Sequence, residues 1–285
     1  MTTTTHNSDP ILLIGGTGKT GRRVAERLQA RGLPVRIASR SSDTPFDWED
    51  PSTWGPALRG TSAAYVTYYP DIALPGAPEK IAALADIAVR AGTRRLVQLS
   101  GRGEVEAQRA ERELAERGVT AEWTVVRCSW FMQNFNESYF ADPLAAGELA
   151  LPVGDVREPF VDAEDVADVA VAALTEEGHR DRLYELTGPR LLTFADAVAE
   201  IGRATGRSVR FTPIPIEAFE AGLAADDTPA DVIALLRFLF TEVLDGRNQK
   251  LADGVQRALG REPRDFTAFA ERSASEGAWS RSTAA

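Results

Sequence analysis

The sequence is poor in the residues that most nucleophile and metal sites require. Cysteine occurs once, at Cys128, and histidine only twice, at His6 and His179. One cysteine cannot form an internal disulfide, and two histidines nearly exclude Ser-His-Asp catalysis and histidine-rich metal centres. We therefore predict no metal site and interpret Cys128 as a small buried residue.

Long apolar runs and an excess of basic residues are also missing. No run approaches the roughly 18 apolar residues of a membrane span. Lys and Arg number 32 against 42 Asp and Glu, a net charge of −10, which argues against nucleic acid and anionic membranes. Residues 1–9 lack the blocks of a signal peptide and predict a disordered tail. Together with the single cysteine, this predicts a cytoplasmic protein, and the oligomeric state stays open.

What the sequence has is an alternation of strand and helix patterns. Apolar runs predict strands at 11–14, 35–39, 63–67, 95–100, 124–127, 151–153 and 184–186. Helical spacing predicts helices at 20–31, 78–91, 104–117, 162–174, 194–205, 217–224 and 230–244. This order predicts an α/β fold, with a doubly wound parallel (Rossmann) sheet over 10–188 and a small, mostly helical C-terminal cap over 189–285. Within the first domain, 130–154 is predicted to contribute to a substrate cleft.

Two groups of charged residues have simple structural interpretations. The run Glu104–Arg117 mixes acidic and basic residues and is interpreted as a solvated helix face. Asp162 and Asp165 resemble a catalytic pair but stand at a predicted helix start, where capping is the favoured explanation.

A glycine-rich turn follows the first strand and precedes the first helix. Gly15, Gly18 and Gly21 have Gly-x-x-Gly-x-x-Gly spacing, which allows a tight turn and close approach of a pyrophosphate to the backbone. The helix N-terminus favours that anion. A nucleoside-triphosphate loop would need glycine where Leu13 stands, so the turn predicts a dinucleotide site.

The end of the second strand favours NADP over NAD, with NAD still possible. An acidic residue there usually binds the NAD ribose, whereas arginine accommodates the NADP 2′-phosphate. This chain has Arg40 and no acid until Asp43. The alternative is that Arg40 merely stacks on the adenine and accepts either cofactor.

Three separated motifs resemble the NmrA-like atypical short-chain dehydrogenases, and within them the ergot-alkaloid reductase branch. The first comprises GGTGKTG at 15–21, ASRS at 38–41 and FDW at 46–48. The second is VRCSWFMQNF at 126–135, where the branch has LRPTWFMENF, and the third is PFVDAEDVA at 159–167.

The resemblance implies positions for the cofactor. It implies that Gly15, Thr17, Gly18, Lys19 and Thr20 line the pyrophosphate, that Arg40 and Ser41 lie beside the adenosine phosphate, that Asp47 and Trp48 lie near the adenine, and that Thr67, Tyr68 and Ser100 follow the nicotinamide half. It also implies a substrate cleft between sheet and cap.

The usual proton relay of short-chain dehydrogenases is missing. The segment 101–117 after Ser100 contains neither Tyr nor Lys, so a Tyr-x-x-x-Lys pair is absent. Ketone reduction then lacks its ordinary proton donor. The remaining catalytic candidates are Ser100 and Tyr68, which could donate hydrogen bonds.

Aromatic residues follow the strand that ends at Arg127. Half of them are expected in the core, but several aromatic faces in one cleft would suit a flat substrate. The predicted substrate-binding residues are Tyr69, Trp130, Phe131, Met132, Asn134 and Phe135.

Two functions remain. The first is an NAD(P)H-dependent reductase of a flat polycyclic acceptor (a quinone, aromatic ketone or iminium) in the tailoring of a secondary metabolite such as an antibiotic. Reaction of a reduced quinone with oxygen would make the net result a hydroxylation. The second is a non-catalytic dinucleotide redox sensor of the NmrA type, which reports to a protein partner.

Overall fold

The computed structural model describes residues 9–117 and 121–280. His6 and nearly all of the predicted N-terminal tail lie outside these residues. Two compact units are distinguished within the chain. Unit 1 comprises the described parts of 1–127, 166–185 and 257–260, and unit 2 those of 128–165, 186–256 and 261–285.

Eleven strands and eleven α-helices are assigned among the described residues. The strands are β1 Ile11–Ile14, β2 Val35–Ser39, β3 Thr44–Pro45, β4 Ala63–Val66, β5 Arg95–Gly101, β6 Glu122–Cys128, β7 Glu148–Leu151, β8 Arg157–Glu158, β9 Arg182–Leu186, β10 Leu192–Thr193 and β11 Arg210–Pro213. The helices are α1 Gly21–Ala30, α2 Trp54–Leu58, α3 Ala77–Ala91, α4 Val105–Arg117, α5 Ala141–Ala146, α6 Ala163–Thr175, α7 Phe194–Thr205, α8 Ile216–Ala225, α9 Ala230–Phe238, α10 Gly254–Leu259 and α11 Phe266–Ser275.

Unit 1 is built on a seven-stranded sheet with the order β3-β2-β1-β4-β5-β6-β9. β1 pairs in parallel with both β2 and β4, so that Ile11 lies opposite Val35 on one side and Ala63 on the other. The strand order reverses direction at β1, and the carboxyl edge at such a switch point is where ligands bind in open α/β sheets. The predicted fold class is confirmed, including the helical C-terminal region.

The sheet buries short apolar strands under amphipathic helices. All four residues of β1 are buried, as expected for a central parallel strand covered on both faces. In α3, Ile81, Leu84 and Ala85 face the core, and the helix stops at Gly92, which has the left-handed conformation common at helix C-termini.

Unit 2 contains two small sheets and an aromatic core. β8 pairs with β10 in antiparallel fashion, and β7 pairs with β11 in parallel. Phe135 is fully buried at the centre of this core, with ring centroids 5.3 Å from those of Phe160 and Phe266. The unit is therefore stabilised chiefly by burial of large apolar side chains.

The short elements differ most from expectation. The helix predicted over 230–244 ends as α-helix at Phe238, and residues Leu239–Val243 form a π-helical turn. The strand predicted at 151–153 is β7, which ends at Leu151. β3, α2, α5 and β8 were not predicted, because two to six residues carry too little periodicity. Among the described residues, no helix is long and apolar enough to cross a membrane.

Candidate functional site

The glycine turn between β1 and α1 is held by backbone hydrogen bonds. The Gly15 amide donates to the Ala38 carbonyl at 3.2 Å, and the Gly18 amide donates to the Gly15 carbonyl at 3.0 Å. Gly15 has φ +76°, a conformation that side chains disfavour. No acidic residue stands in the first turn of α1, so its positive end faces no local carboxylate.

The three glycines of the Gly-x-x-Gly-x-x-Gly spacing differ in their surroundings. A Cβ at Gly15 would lie 2.0 Å from the Thr67 hydroxyl oxygen, and one at Gly21 would lie 2.2 Å from the Gly15 carbonyl. These two glycines are therefore required by packing within the chain. A Cβ at Gly18 would meet only the Gly15 carbonyl, at 3.3 Å, among the described atoms within 4 Å. Gly18 thus leaves a face of the turn open.

Exposure varies among the other predicted pyrophosphate residues. Thr17 is exposed and Lys19 is half-buried. Thr20 is 4% exposed, and its hydroxyl oxygen accepts a hydrogen bond from the Tyr65 hydroxyl at 3.0 Å. Thr20 can therefore contribute its backbone to a ligand, while its side chain fixes the turn to β4.

The loop after β2 presents a cation. Arg40 and Ser41 are exposed, and the Arg40 guanidinium lies 5.4 Å from the centroid of the Tyr69 ring. Ser42 closes the loop, because its hydroxyl oxygen accepts from the Ser39 amide at 2.9 Å. Tyr69, predicted to bind substrate, thus lies in this structure beside the residue predicted to select the cofactor.

The segment after β3 packs against the end of β4. The Trp48 indole donates to the Thr67 carbonyl at 3.2 Å, and its ring centroid is 4.7 Å from that of Tyr68. The Asp47 carbonyl accepts from the Trp54 indole at 2.7 Å. The structure therefore brings together Trp48, Thr67 and Tyr68, which had been divided between the adenine and nicotinamide halves. Trp48 is 6% exposed, so it supports the site mainly by packing.

Lys80 on α3 is a cation near this segment that the sequence patterns did not indicate. Its ammonium contacts the Glu49 carboxylate at 2.6 Å. The hydrogen bond to Glu49, with a smaller contribution from the Tyr68 hydroxyl, raises the pKa of Lys80. Tyr68 therefore has a lysine nearby, although from a different helix than a Tyr-x-x-x-Lys motif would supply.

Ser100 lies in β5 with its hydroxyl already engaged. It is 3% exposed and donates to Glu111 on α4 at 2.6 Å. Glu111 also accepts from Arg127, whose Nε lies 2.9 Å from Oε1, and these hydrogen bonds raise the pKa of Arg127. In this structure Ser100 therefore orients a buried ion pair instead of presenting a free hydroxyl.

The run Glu104–Arg117 is not uniformly solvated, so its interpretation as a solvated face was wrong for two residues. Glu104 and Glu111 are 9% and 5% exposed. Glu104 precedes α4, and Asp71 follows β4. Burial, followed by the charges of Asp71 and Glu111, raises the pKa of Glu104 to about 8. Burial also raises the pKa of Asp71, against the opposing hydrogen bond from the Ala73 amide.

The aromatic segment of unit 2 divides into packed and partly exposed residues. Met132 and Phe135 are 1% and 0% exposed within the aromatic core. Trp130, Phe131 and Asn134 are half-buried. The Trp130 ring packs against Phe194 and Phe240, with centroid distances of 5.8 and 5.4 Å. Met132 and Phe135 therefore act in packing here, while the other three retain surface.

Cys128 and Asp162 agree with their structural interpretations, whereas the Asp165 carboxylate binds arginines instead of capping the helix. Cys128 is buried, with 5% exposure. Asp162 accepts from the Glu164 amide at 2.9 Å at the start of α6, which confirms the capping role. Asp165 is paired with Arg261 at 2.7 Å and with Arg264. Both carboxylates therefore have structural roles.

The sequence of this chain is similar to several proteins that are named as oxidoreductases. It is 34% identical to the uncharacterized oxidoreductase YesF of Bacillus subtilis, covering 92% of this chain and 94% of that protein. It is 29% identical to an NAD(P)H azoreductase of Xenophilus azovorans, covering 92% and 96%. With the agroclavine dehydrogenase of Claviceps fusiformis the identity is 30%, covering 91% and 95%.

Solved structures share the fold. A Citrobacter triphenylmethane reductase complexed with NADP(H) gives a TM-score of 0.76 at 18% identity, covering 93% of this chain and 99% of that one. The NADPH-dependent quinone oxidoreductase of Escherichia coli, complexed with NADPH, gives 0.75 at 18% identity, covering 92% and 99%. Residues 79–270 match the NmrA-like family. The chain therefore belongs to the NmrA-like family.

Proposed function

We propose that this protein is an NAD(P)H-dependent reductase that delivers hydride to a flat, conjugated acceptor. The observation that carries the proposal is the open backbone at Gly18, between two glycines whose Cβ positions are filled by the chain itself. Close approach of a pyrophosphate to the backbone at a helix N-terminus would explain why position 18, between Gly15 and Gly21, is also glycine.

The residues of unit 1 fit a bound dinucleotide. The backbone of 15–20 would hold the pyrophosphate, with the exposed Thr17 and the half-buried Lys19 beside it. Arg40 and Ser41 would hold the adenosine phosphate, which favours NADP and leaves NAD possible. A charge-assisted hydrogen bond from Arg40 to a 2′-phosphate would contribute about 1.5–3 kcal/mol. The cofactor would supply the hydride.

The names of the relatives support an extended, conjugated acceptor. They include an azoreductase, an agroclavine dehydrogenase, a triphenylmethane reductase and a quinone oxidoreductase. In this chain, Trp130 and Phe131 retain aromatic surface that could stack on such a molecule. We therefore propose a quinone, aromatic ketone or iminium as the acceptor class.

The metabolic setting forms part of the same proposal. The relatives include two festuclavine synthases of Penicillium roqueforti and a (4-alkanoyl-5-oxo-2,5-dihydrofuran-3-yl)methyl phosphate reductase of Streptomyces griseus. We propose that this protein tailors a secondary metabolite. If the acceptor is a polycyclic quinone, reaction of the hydroquinone with O2 to give a hydroxyquinone and water would make the net result a hydroxylation.

The test is oxidation of NADPH and NADH against matched neutral and cationic acceptors, with dinucleotide binding measured by calorimetry. Turnover of at least one conjugated acceptor, with tighter NADPH than NADH, is expected. Tight dinucleotide binding without turnover of any acceptor class would favour the redox sensor. No dinucleotide binding would refute both functions. Incorporation of isotopically labelled oxygen into the quinone product would identify the hydroxylation route, whereas oxygen consumption with release of hydrogen peroxide would indicate simple reoxidation.

A further inference from the structure

Two carboxyl groups follow neighbouring parallel strands in unit 1, at the carboxyl edge of the sheet. Asp71 comes five residues after the end of β4, and Glu104 three residues after the end of β5. β4 and β5 pair in parallel, with Val66 opposite Gln98. Both side chains therefore stand at the edge where ligands of open α/β sheets bind.

The Glu104 carboxyl packs directly against the backbone of Gly101. A Cβ on Gly101 would lie 2.1 Å from Glu104 Oε2 and 2.4 Å from its Cδ, so a side chain at this position would require the carboxyl to move. Glu104 Oε2 is buried and has no hydrogen-bond partner among the described residues. A buried carboxyl oxygen without a partner is costly, and the cost is least when the group is protonated.

The charges around Glu104 come from three elements. Asp71 follows β4, and Glu111 on α4 faces the same region, and both carboxylates oppose ionisation of Glu104. The nearby cations have partners: Arg127 binds Glu111 at 2.9 Å, and Arg102 binds Glu185 at 2.8 Å. The N-terminus of α4 favours a carboxylate, but by only about 0.3–1 kcal/mol, which is less than one pH unit. Burial and the acidic neighbours therefore dominate.

A proton donor is needed at this edge. The chain has no Tyr-x-x-x-Lys pair, and the Ser100 hydroxyl already donates to Glu111. Asp71 is half-buried, so part of its surface is accessible, whereas Glu104, which interacts with the charge of Asp71, is only 9% exposed. One group is thus open to a ligand and the other is shielded from solvent.

We propose that Asp71 and Glu104 share one proton and deliver it to the reduced acceptor, with Asp71 as the donor and Glu104 as the store. This inference rests on the proposed reductase function. Hydride from the dihydronicotinamide forms a bond to a carbonyl or quinone acceptor and leaves an oxyanion and an oxidised dinucleotide. An O–H bond of the acid pair then breaks while one forms on that oxyanion. The carboxylate left behind takes a proton from solvent.

The test compares two acceptors that differ in their need for a proton. A neutral quinone or aromatic ketone accepts hydride and a proton, whereas a cationic triarylmethane dye accepts hydride alone. Glu104→Gln should lower kcat for the neutral acceptor by at least about tenfold and leave kcat for the cationic dye unchanged. The affinity for NADPH should also stay unchanged.

The pH profile supplies the readout that a merely structural role would not move. In the unmodified protein, kcat for the neutral acceptor should fall above about pH 8, where Glu104 loses its proton according to its raised pKa. This decrease of kcat at high pH should be absent in Glu104→Gln. In Asp71→Asn the donor itself is gone, so kcat for the neutral acceptor should be low at every pH, whereas kcat for the cationic dye should be retained.

Glu106→Gln is the matched control, since it makes the same chemical change two residues away. Glu106 is paired with Arg109 at 2.6 Å on the more exposed side of α4. Glu106→Gln should change kcat for neither acceptor. An equal loss of kcat for both acceptors in Glu104→Gln, or an unchanged pH profile of kcat, would refute the proposal that Glu104 stores the proton. If the unmodified protein reduces neither acceptor, the reductase function itself fails, and the proton delivery fails with it.

Discussion

Glu104 should make the folding stability of this protein depend on pH in a way that one substitution removes. The perturbation is Glu104→Gln, which keeps the shape of the side chain and removes its ionisation. In the unfolded chain, Glu104 titrates near its ordinary pKa of 4.5, whereas burial and acidic neighbours raise the pKa to about 8 in the folded protein. Between these values the folded state holds a proton that the unfolded state has lost.

The sign and the magnitude follow from this difference. Because the folded state binds more protons, the free energy of unfolding falls as pH rises from about 4.5 to about 8 and is level outside this window. Each pH unit of pKa difference corresponds to about 1.4 kcal/mol. The whole difference amounts to about 4–5 kcal/mol, the lower figure allowing for the N-terminus of α4. The amide side chain in Glu104→Gln does not titrate, so its own effect on the free energy of unfolding is the same at every pH.

The assay is chemical denaturation of both proteins at several pH values from below the lower pKa to above the upper one. The difference in unfolding free energy, unmodified minus Glu104→Gln, should fall by about 4–5 kcal/mol across the window, because groups that do not interact with Glu104 cancel. A difference that stays constant with pH would mean that Glu104 titrates normally, and the reasoning from its burial would be refuted. A Glu106→Gln control should show no such trend.

Three further predictions test the cofactor and acceptor sites. Gly18→Val should abolish dinucleotide binding in calorimetry while the fold is retained, whereas Gly21→Ala should destabilise the fold itself. Unchanged affinity for the dinucleotide in Gly18→Val would mean that the cofactor does not bind at this turn. Arg40→Ala should weaken NADPH by about ten- to a hundredfold and NADH much less, and equal losses would mean that Arg40 only stacks. Trp130→Ala should lower kcat/KM for a flat acceptor by roughly tenfold to a few hundredfold with dinucleotide affinity retained. Because Trp130 also packs on Phe194, thermal melting should accompany the kinetics, and parallel loss of stability and of both ligands would assign the residue to packing.

The larger elements could be predicted from the sequence because each carries its own periodicity. The apolar run Ile11–Ile14 and the spacing of Ile81 and Leu84 are properties of neighbouring residues, and β1 and α3 formed where they indicated. Elements such as β3 and β8 are two residues long and depend on pairing with distant partners. That pairing is decided by the fold and leaves no local signal.

The chemical environment of the site was less predictable than its location. Glu104 belongs to a charged run that looks solvated, and only the packing of Gly101 and the approach of Asp71 make its carboxyl buried. Ser100 was identified from its strand end, but its bond to Glu111 depends on the rotation of α4. A sequence shows which residues arrive at the sheet edge, whereas solvation and partners depend on side chains far apart in the chain.

Glycines at the carboxyl edge of the sheet separate what the chain needs for itself from what it leaves for a ligand. At Gly15 the Thr67 hydroxyl occupies the space of a side chain, at Gly21 the Gly15 carbonyl does, and at Gly101 the Glu104 carboxyl does. Gly15 and Gly21 are explained by packing within the chain, whereas the group that fills the space at Gly101 is the end of a flexible side chain. Gly18 has more open surroundings, because a methyl group there would press on one backbone carbonyl at 3.3 Å and meet no other described atom within 4 Å. This open position at a helix N-terminus is where we propose that the pyrophosphate of a dinucleotide approaches the backbone.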